Sequence, residues 1–197
     1  GQGGAYIAKY DKQHLVPFGE YVPFPGLMRK FTPIPLDFQP GRESTLFRLE
    51  GSAPFSVLIC FEDTVAPLAV DAVRTGARWL INQTNDAWFD PSSQSEQHLA
   101  HAVFRCVENR VPMARCCNTG VTCTIDAFGN VDRELLPRTQ GFTTRILSPR
   151  PVDAEQTFFT RHPNMFSKVA LLAGATVLFV LRTKARKGRN KDEMDPA

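Results

Sequence analysis

Apolar and polar positions along the chain fall into short blocks with two different periods. TLFRLE (45–50) and FSVLIC (55–60) alternate as strands around a glycine-containing turn. VAPLAVDAVRTGA (65–77) repeats its apolar residues at helical spacing, with Gly76 placed to stop the helix. WLINQTND (79–86) starts as a buried strand and ends in polar residues. Ser93 and Glu96 then form a capping box after Pro91, and Leu99, Ala102, Val103, Cys106 and Val107 follow at i, i+3, i+4 spacing. On that stripe Cys106 reads as a small core hydrophobe. MARCCNTG (113–120) and VTCTIDAFGNV (121–131) predict successive strands with Gly129 in the closing turn, and residues 141–147 are a candidate for another. Strand, helix, strand, helix, strand predicts α/β layering. Ligands in such folds collect at the carboxyl ends of strands, where Cys60, Asn82, Asn85 and Asp86 fall.

Two segments break this rhythm. Residues 15–41, LVPFGEYVPFPGLMRKFTPIPLDFQPG, hold six prolines and five Phe or Tyr, a density of proline that blocks helix and central strand. This predicts a long loop with greasy side chains, serving as a lid or arm or packing down onto the core. Residues 169–181, VALLAGATVLFVL, run thirteen positions without a charge. Counting from Met165 makes seventeen, with Lys168 near one end where it can snorkel. A membrane-spanning helix needs about 17–25 residues. A core helix would show a polar face, and this one has none, so the pattern favours a span.

Charge sharpens that reading. The formal net charge is +3, but six Lys or Arg lie between Arg182 and Lys191, followed by Asp192, Glu193 and Asp195. Residues 1–181 then hold 17 basic and 17 acidic side chains, so the body is neutral. A nucleic-acid binder would carry a basic stripe on its folded part, and none exists. The basic run after an apolar stretch fits a cytoplasmic flank, leaving the body on the opposite side. The chain opens on Gly1 within sequence that already reads as structured, as expected of a piece of a longer protein. Five cysteines (60, 106, 116, 117, 123) without paired metal spacing argue against a disulfide framework or a metal site.

Cys60 is the candidate nucleophile. A cysteine between a buried strand and a helix gains from the helix N-terminus, which favours the thiolate, and from backbone N–H groups that can hold an oxyanion. Such a cysteine needs a base, and no spacing ties His14, His98, His101 or His162 to it. Local pattern leaves structural and catalytic readings of Cys60 even. His98 and His101 sit three apart without a third ligand, which points to a helix-surface or capping role rather than a metal. Cys116 and Cys117 fall on opposite strand faces, at least one of them in the core. Asn82, Asn85 and Asp86 either satisfy backbone at the strand end or line a pocket.

YDKQHLVPFGEYVPF (10–24), ICFED (59–63), LINQTNDAWF (80–89), SEQHLAHAVFRCVENRVPMAR (95–115) and NTG (118–120) together carry a resemblance. Over roughly residues 6–131 the chain resembles the apolipoprotein N-acyltransferases, the membrane-bound branch of the nitrilase superfamily. The resemblance implies part of a nitrilase-type α-β-β-α sandwich over 1–160, a transmembrane helix over 165–181 and a basic cytoplasmic tail over 182–197. It implies Cys60 as nucleophile, Lys12 as oxyanion stabiliser and the backbone N–H of Phe61 as a second oxyanion donor. Glu20 and Glu62 match supporting active-site acids, Trp88 matches an aromatic near the acyl pocket, and Asn85 is placed with it as a substrate-binding residue. Lys9 lies outside the matched motif. The family's general-base glutamate lies upstream of the lysine motif, so residues 1–197 are expected to be inactive by themselves. WFD in place of WFG, and QTFFTRHPN without the usual tyrosine and Gly-Asp, depart from the pattern at the rim.

The implied reaction moves an acyl chain from a phospholipid, through a Cys60 thioester, to the amine of a diacylglyceryl-modified N-terminal cysteine of an apolipoprotein. No cofactor or metal is required. The implied location is the bacterial inner membrane, with the catalytic domain on the extracytoplasmic side. Alternatives from the same residues are a nitrilase or amidase acting on small C–N substrates, and a membrane-anchored, non-catalytic binding domain.

Overall fold

A computed structural model describes residues 8–28, 30–31, 38–89, 92–133 and 135–192, with side chains described as far as residue 184. Asp90, Pro91 and the tail acids Glu193 and Asp195 lie outside the described residues. The chain divides into two units after Arg161.

The first unit is built on a five-stranded sheet in sequential order. Strand β1 (Phe55–Ile59) pairs in parallel with β2 (Trp79–Thr84), and β2 in parallel with β3 (Met113–Cys117). Then β4 (Cys123–Ile125) and the short β5 (Val131–Asp132) continue antiparallel. Each parallel step needs a crossover, and the two helical blocks of the sequence supply it. Helix α2 (Ala66–Thr75) joins β1 to β2; α3 (Gln94–Asn109) joins β2 to β3. The shorter α1 (Pro25–Met28) and α4 (Phe158–Arg161) flank this frame. Gly76 ends α2 in the left-handed region at φ 116°, its N–H returning to the carbonyls of Ala72 and Val73.

Both crossover helices cover the same sheet face. Leu58, Leu80, Met113 and Ile125 point from four strands into a core shared with Ala69, Ala72 and Val73 of α2 and Leu99, Ala102 and Cys106 of α3. Val57, Ile81, Ala114 and Thr124, aligned across the sheet, form the other face and stay half-buried. One helix layer on one sheet is the α-β half of an α-β-β-α sandwich, the partial form that the family resemblance implies.

Several local expectations change. TLFRLE is not a strand: it makes a single bridge, Phe47 to Phe55, while Leu46 packs against the core. The capping box does not form, because Ser93 makes no side-chain cap and Glu96 pairs with Arg133 at 2.8 Å. Ser92 Oγ accepts the Gln94 N–H instead. Residues 141–147 run without strand pairing.

The second unit is the helix α5 (Met165–Asp192). Its stretch Met165–Lys184 is 20 residues long with a mean hydropathy of 1.7, long and apolar enough to cross a membrane. Leu171, Leu172, Leu178 and Phe179 are all exposed along it.

Candidate active site

The carboxyl ends of β1, β2 and β3 converge on one rim, and the chain turns sharply at each. Cys60 leaves β1 with φ 55°, in the left-handed region, and opens a 3-10 turn over Cys60–Thr64. A cysteine there is strained by about 1–2 kcal/mol, a cost seen mostly where function holds the backbone in place. The strand reading of FSVLIC therefore ends one residue early. Cys60 belongs to the corner.

Glu62 secures this corner. Its carboxylate accepts the N–H of Ile59 at 2.7 Å, the N–H of Gln13 at 2.6 Å, the N–H of His14 at 3.0 Å and the Tyr10 hydroxyl at 2.8 Å. Burial and the neighbouring Glu62 charge push the Tyr10 hydroxyl well above its ordinary pKa, keeping it a donor. The segment on either side of Lys12 is thus bound to the Cys60 turn. Glu20 fixes the amine itself: Lys12 Nζ donates to both Glu20 oxygens, at 2.6 and 2.8 Å, and Val16 N–H adds a third bond at 2.9 Å. Gly41 N–H binds the Lys12 carbonyl at 2.7 Å from the far side. Lys9, in contrast, sits exposed beside Asp11.

A cavity of about 430 Å³ opens at this rim, lined by Cys60, Phe61, Glu20, Phe18, Trp88 and Asn85 among others. Phe18 and Trp88 are exposed apolar groups at its mouth, and Phe61 stacks on His14 with ring centres 5.9 Å apart. Lys12 reaches the cavity wall through Glu20. The Asn85 side-chain oxygen is taken up by Asn118 at 2.6 Å and by the Ala87 N–H at 3.1 Å, so Asn85 also stitches the ends of β2 and β3. A larger cavity of about 860 Å³ lies elsewhere, against β4, β5 and residues 145–155, and contains none of these groups.

Beneath the cavity lies a buried ionic cluster. His98 Nε2 meets Asp63 Oδ1 at 2.7 Å and His98 Nδ1 meets Asp86 Oδ1 at 2.9 Å. Arg115 Nη1 donates to Asp63 Oδ2 at 2.7 Å and to Asn82 Oδ1 at 2.6 Å. Burial alone would lower the His98 pKa, but the bonds to Asp63 and Asp86 outweigh it and raise it to about 9. The same bond, with the charges of His98 and Arg115, overcomes burial at Asp86 and lowers its pKa to about 2. A protonated His98 balances two carboxylates and one guanidinium.

His98 is therefore not a surface or capping residue; its neighbour His101 is exposed, and the two do not converge. Among the described residues no group of His, Cys, Asp and Glu is arranged to hold a metal. Cys116 is exposed and Cys117 half-buried, so neither is a core residue. All five cysteines are free. Asn82 donates to the carbonyls of Leu58 at 3.3 Å and Cys60 at 3.1 Å, while Asp86 and Asn85 also line the cavity, so both readings of these polar ends hold.

The apolipoprotein N-acyltransferase of Geobacter metallireducens is 40% identical over 182 residues, covering 90% of this chain and 34% of that protein. The enzyme of the same name from Rhodopseudomonas palustris is 34% identical, covering 94% of this chain and 34% of that protein. The chain thus spans about one third of the length of these curated relatives. An amidase from Nesterenkonia sp. aligns in structure with a TM-score of 0.45 at 21% identity, covering 64% of this chain and 46% of that one. The Carbon-nitrogen hydrolase family profile matches residues 1–149, three quarters of the sequence, and the chain belongs to that family.

Proposed function

We propose that Cys60 is the nucleophile of an acyl transfer from phospholipid to the N-terminal amine of an apolipoprotein. The observation that carries this reading is the strained Cys60 corner facing a cavity whose wall also holds the Glu20 partner of Lys12. A base takes the Cys60 thiol proton, the sulfur attacks the ester carbonyl, the acyl C–O bond breaks, and the proton passes to the departing lysophospholipid. The free amine of a diacylglyceryl-modified cysteine then attacks the thioester. The C–S bond breaks, an amide forms, and the proton lost by the amine returns the sulfur to a thiol.

Lys12 and the Phe61 N–H stabilise the oxyanion in each step; preorganised donors of this kind are worth on the order of 3 kcal/mol each. Glu20 and Glu62 are supporting groups rather than the general base, because their carboxylates are already committed to Lys12, to backbone N–H groups and to Tyr10. The base is a further glutamate of the family pattern, upstream of this chain. Trp88 and Phe18 give the donor's acyl chain an apolar entry. Helix α5 anchors the domain in the bacterial inner membrane, with residues 1–160 on the extracytoplasmic face and 182–197 in the cytoplasm. The similarity to proteins named apolipoprotein N-acyltransferase supports this choice of donor and acceptor.

The test uses the full gene product with an acyl-labelled phospholipid and a diacylglyceryl-cysteine peptide. Labelled triacylated peptide is expected from the wild type and none from Cys60→Ala. Equal product from Cys60→Ala would overturn the reading.

A further inference from the structure

The Asn82 side chain bonds the one carbonyl that fixes the direction of the proposed oxyanion donor. A trans peptide is planar, so the Cys60 carbonyl and the Phe61 N–H point opposite ways from one rigid unit. Asn82 is fully buried on the helix-covered face of β2, one layer below the corner. Its Nδ2 donates to the Cys60 carbonyl at 3.1 Å and to the Leu58 carbonyl at 3.3 Å. A carbonyl drawn inward turns the Phe61 N–H outward.

Asn82 is itself held. Its Oδ1 accepts from Arg115 Nη1 at 2.6 Å, and the same nitrogen donates to Asp63 at 2.7 Å. Asp63 continues to His98 and His98 to Asp86, at 2.7 and 2.9 Å. An amide can flip, exchanging its donor and acceptor ends. The Arg115 cation accepts no hydrogen bond, so it selects the orientation in which Nδ2 faces the corner. Five side chains, from the turns after β1 (Asp63) and β2 (Asp86) and from α3, β2 and β3, therefore end on a single peptide group. The proposed chemistry assigns no step to any of them.

We propose that Asn82 is a positioning residue that aims the Phe61 N–H at the reacting carbonyl, and that the Asp63–His98–Asp86–Arg115 cluster fixes the Asn82 amide for that purpose. This inference rests on Cys60 being the nucleophile. Losing an oxyanion donor slows an acyl transfer by about 100–1000-fold, and misdirecting one gives part of that loss.

Asn82→Asp is the informative variant. It is nearly isosteric and keeps the acceptor for Arg115, but it has no donor for the Cys60 carbonyl. His98→Gln is the second variant, breaking the cluster three hydrogen bonds from Asn82 while leaving Asn82 intact. Wild type, both variants and Cys60→Ala, as full gene product, are mixed with acyl-labelled phospholipid, and hydroxylamine-sensitive label is followed through the first turnover. Protection of the buried thiols Cys106 and Cys123 from iodoacetamide reports folding in each sample, and the criterion is read on the variants that stay protected.

At least tenfold slower labelling, at an unchanged half-saturating lipid concentration and with both thiols protected, is expected for Asn82→Asp and His98→Gln. Labelling at the wild-type rate in a protected variant overturns the positioning role and leaves the Cys60 reading standing. Label retained by Cys60→Ala overturns that reading and this inference together.

Discussion

Glu62 and Gln13 stand 49 positions apart in sequence, yet the Gln13 N–H lies 2.6 Å from the Glu62 carboxylate. The same carboxylate oxygen takes the His14 N–H at 3.0 Å. Lys12 is the residue just before this pair, so the candidate oxyanion lysine and the candidate nucleophile are held together by one fully buried side chain.

Replacing Glu62 by Gln leaves the shape but turns an amide nitrogen toward donors. An unpaired buried polar group costs about 1–3 kcal/mol. Expressed at the reacting geometry, that cost lowers acyl transfer by about 5–150-fold. Hydrogen exchange at the Gln13 and His14 amides, slow in the wild type, is expected to accelerate. Unchanged exchange would show that Glu62 does not hold the Lys12 segment.

Stability is expected to depend on His98 above neutral pH. Its pKa is raised from 6.5 to about 9. A raised pKa stabilises the fold fully below pH 6.5, and the contribution disappears as pH rises through about 9. Between pH 6 and 10 the unfolding free energy should fall by roughly 2–3 kcal/mol, with a flatter profile in His98→Gln. Asp86 has the opposite sign: its pKa is lowered to about 2 from 3.8, so its contribution holds above 3.8 and is lost as pH falls through about 2. Urea unfolding from about pH 2 to about pH 10 measures both.

Gly120 lies against the cluster. A Cβ there would run into the Asp86 carboxylate and stand 2.8 Å from the Cys117 sulfur. Gly120→Ala should cost about 1–3 kcal/mol and displace Asp86 from His98. Gly26→Ala, where an added Cβ meets nothing within 4 Å, is the control and should leave the melting temperature unchanged.

Much of this frame is legible in the residues, and the exceptions share a cause. The α2 stop at Gly76 and the α3 stripe are local signals that the packing reinforces. Ser93 with Glu96 is an equally good local signal, yet Arg133 takes Glu96 from 37 positions away. TLFRLE alternates correctly but meets only one strand partner. His98 is the hardest to read. A signal exists: His98, Ala102, Arg105 and Asn109 recur at i, i+4, i+7, i+11 and are all buried. Polar residues at such a period require buried partners; those of His98 are Asp63 and Asp86, just past two strand ends that no spacing rule connects. Asn82, polar in the core phase of β2 two residues after Leu80, carries the same message.

Helix α5 makes a physical prediction of its own. The wild-type gene product is expected to resist alkaline extraction from membranes. Leu172→Arg with Val177→Arg, at about 2.5–3.5 kcal/mol each near the centre of a span, should weaken retention by this segment. A fusion carrying residues 162–197 alone reads this without interference from other parts of the protein. Equal retention of the double variant would place the helix outside the bilayer.

The most direct test of the Cys60 assignment is the mass of the Cys60 peptide after incubation of the full gene product with phospholipid and no acceptor. One acyl chain on Cys60, removed by hydroxylamine and absent from the exposed Cys116, is the expected result. An unmodified Cys60 in protein that still consumes the donor would contradict it.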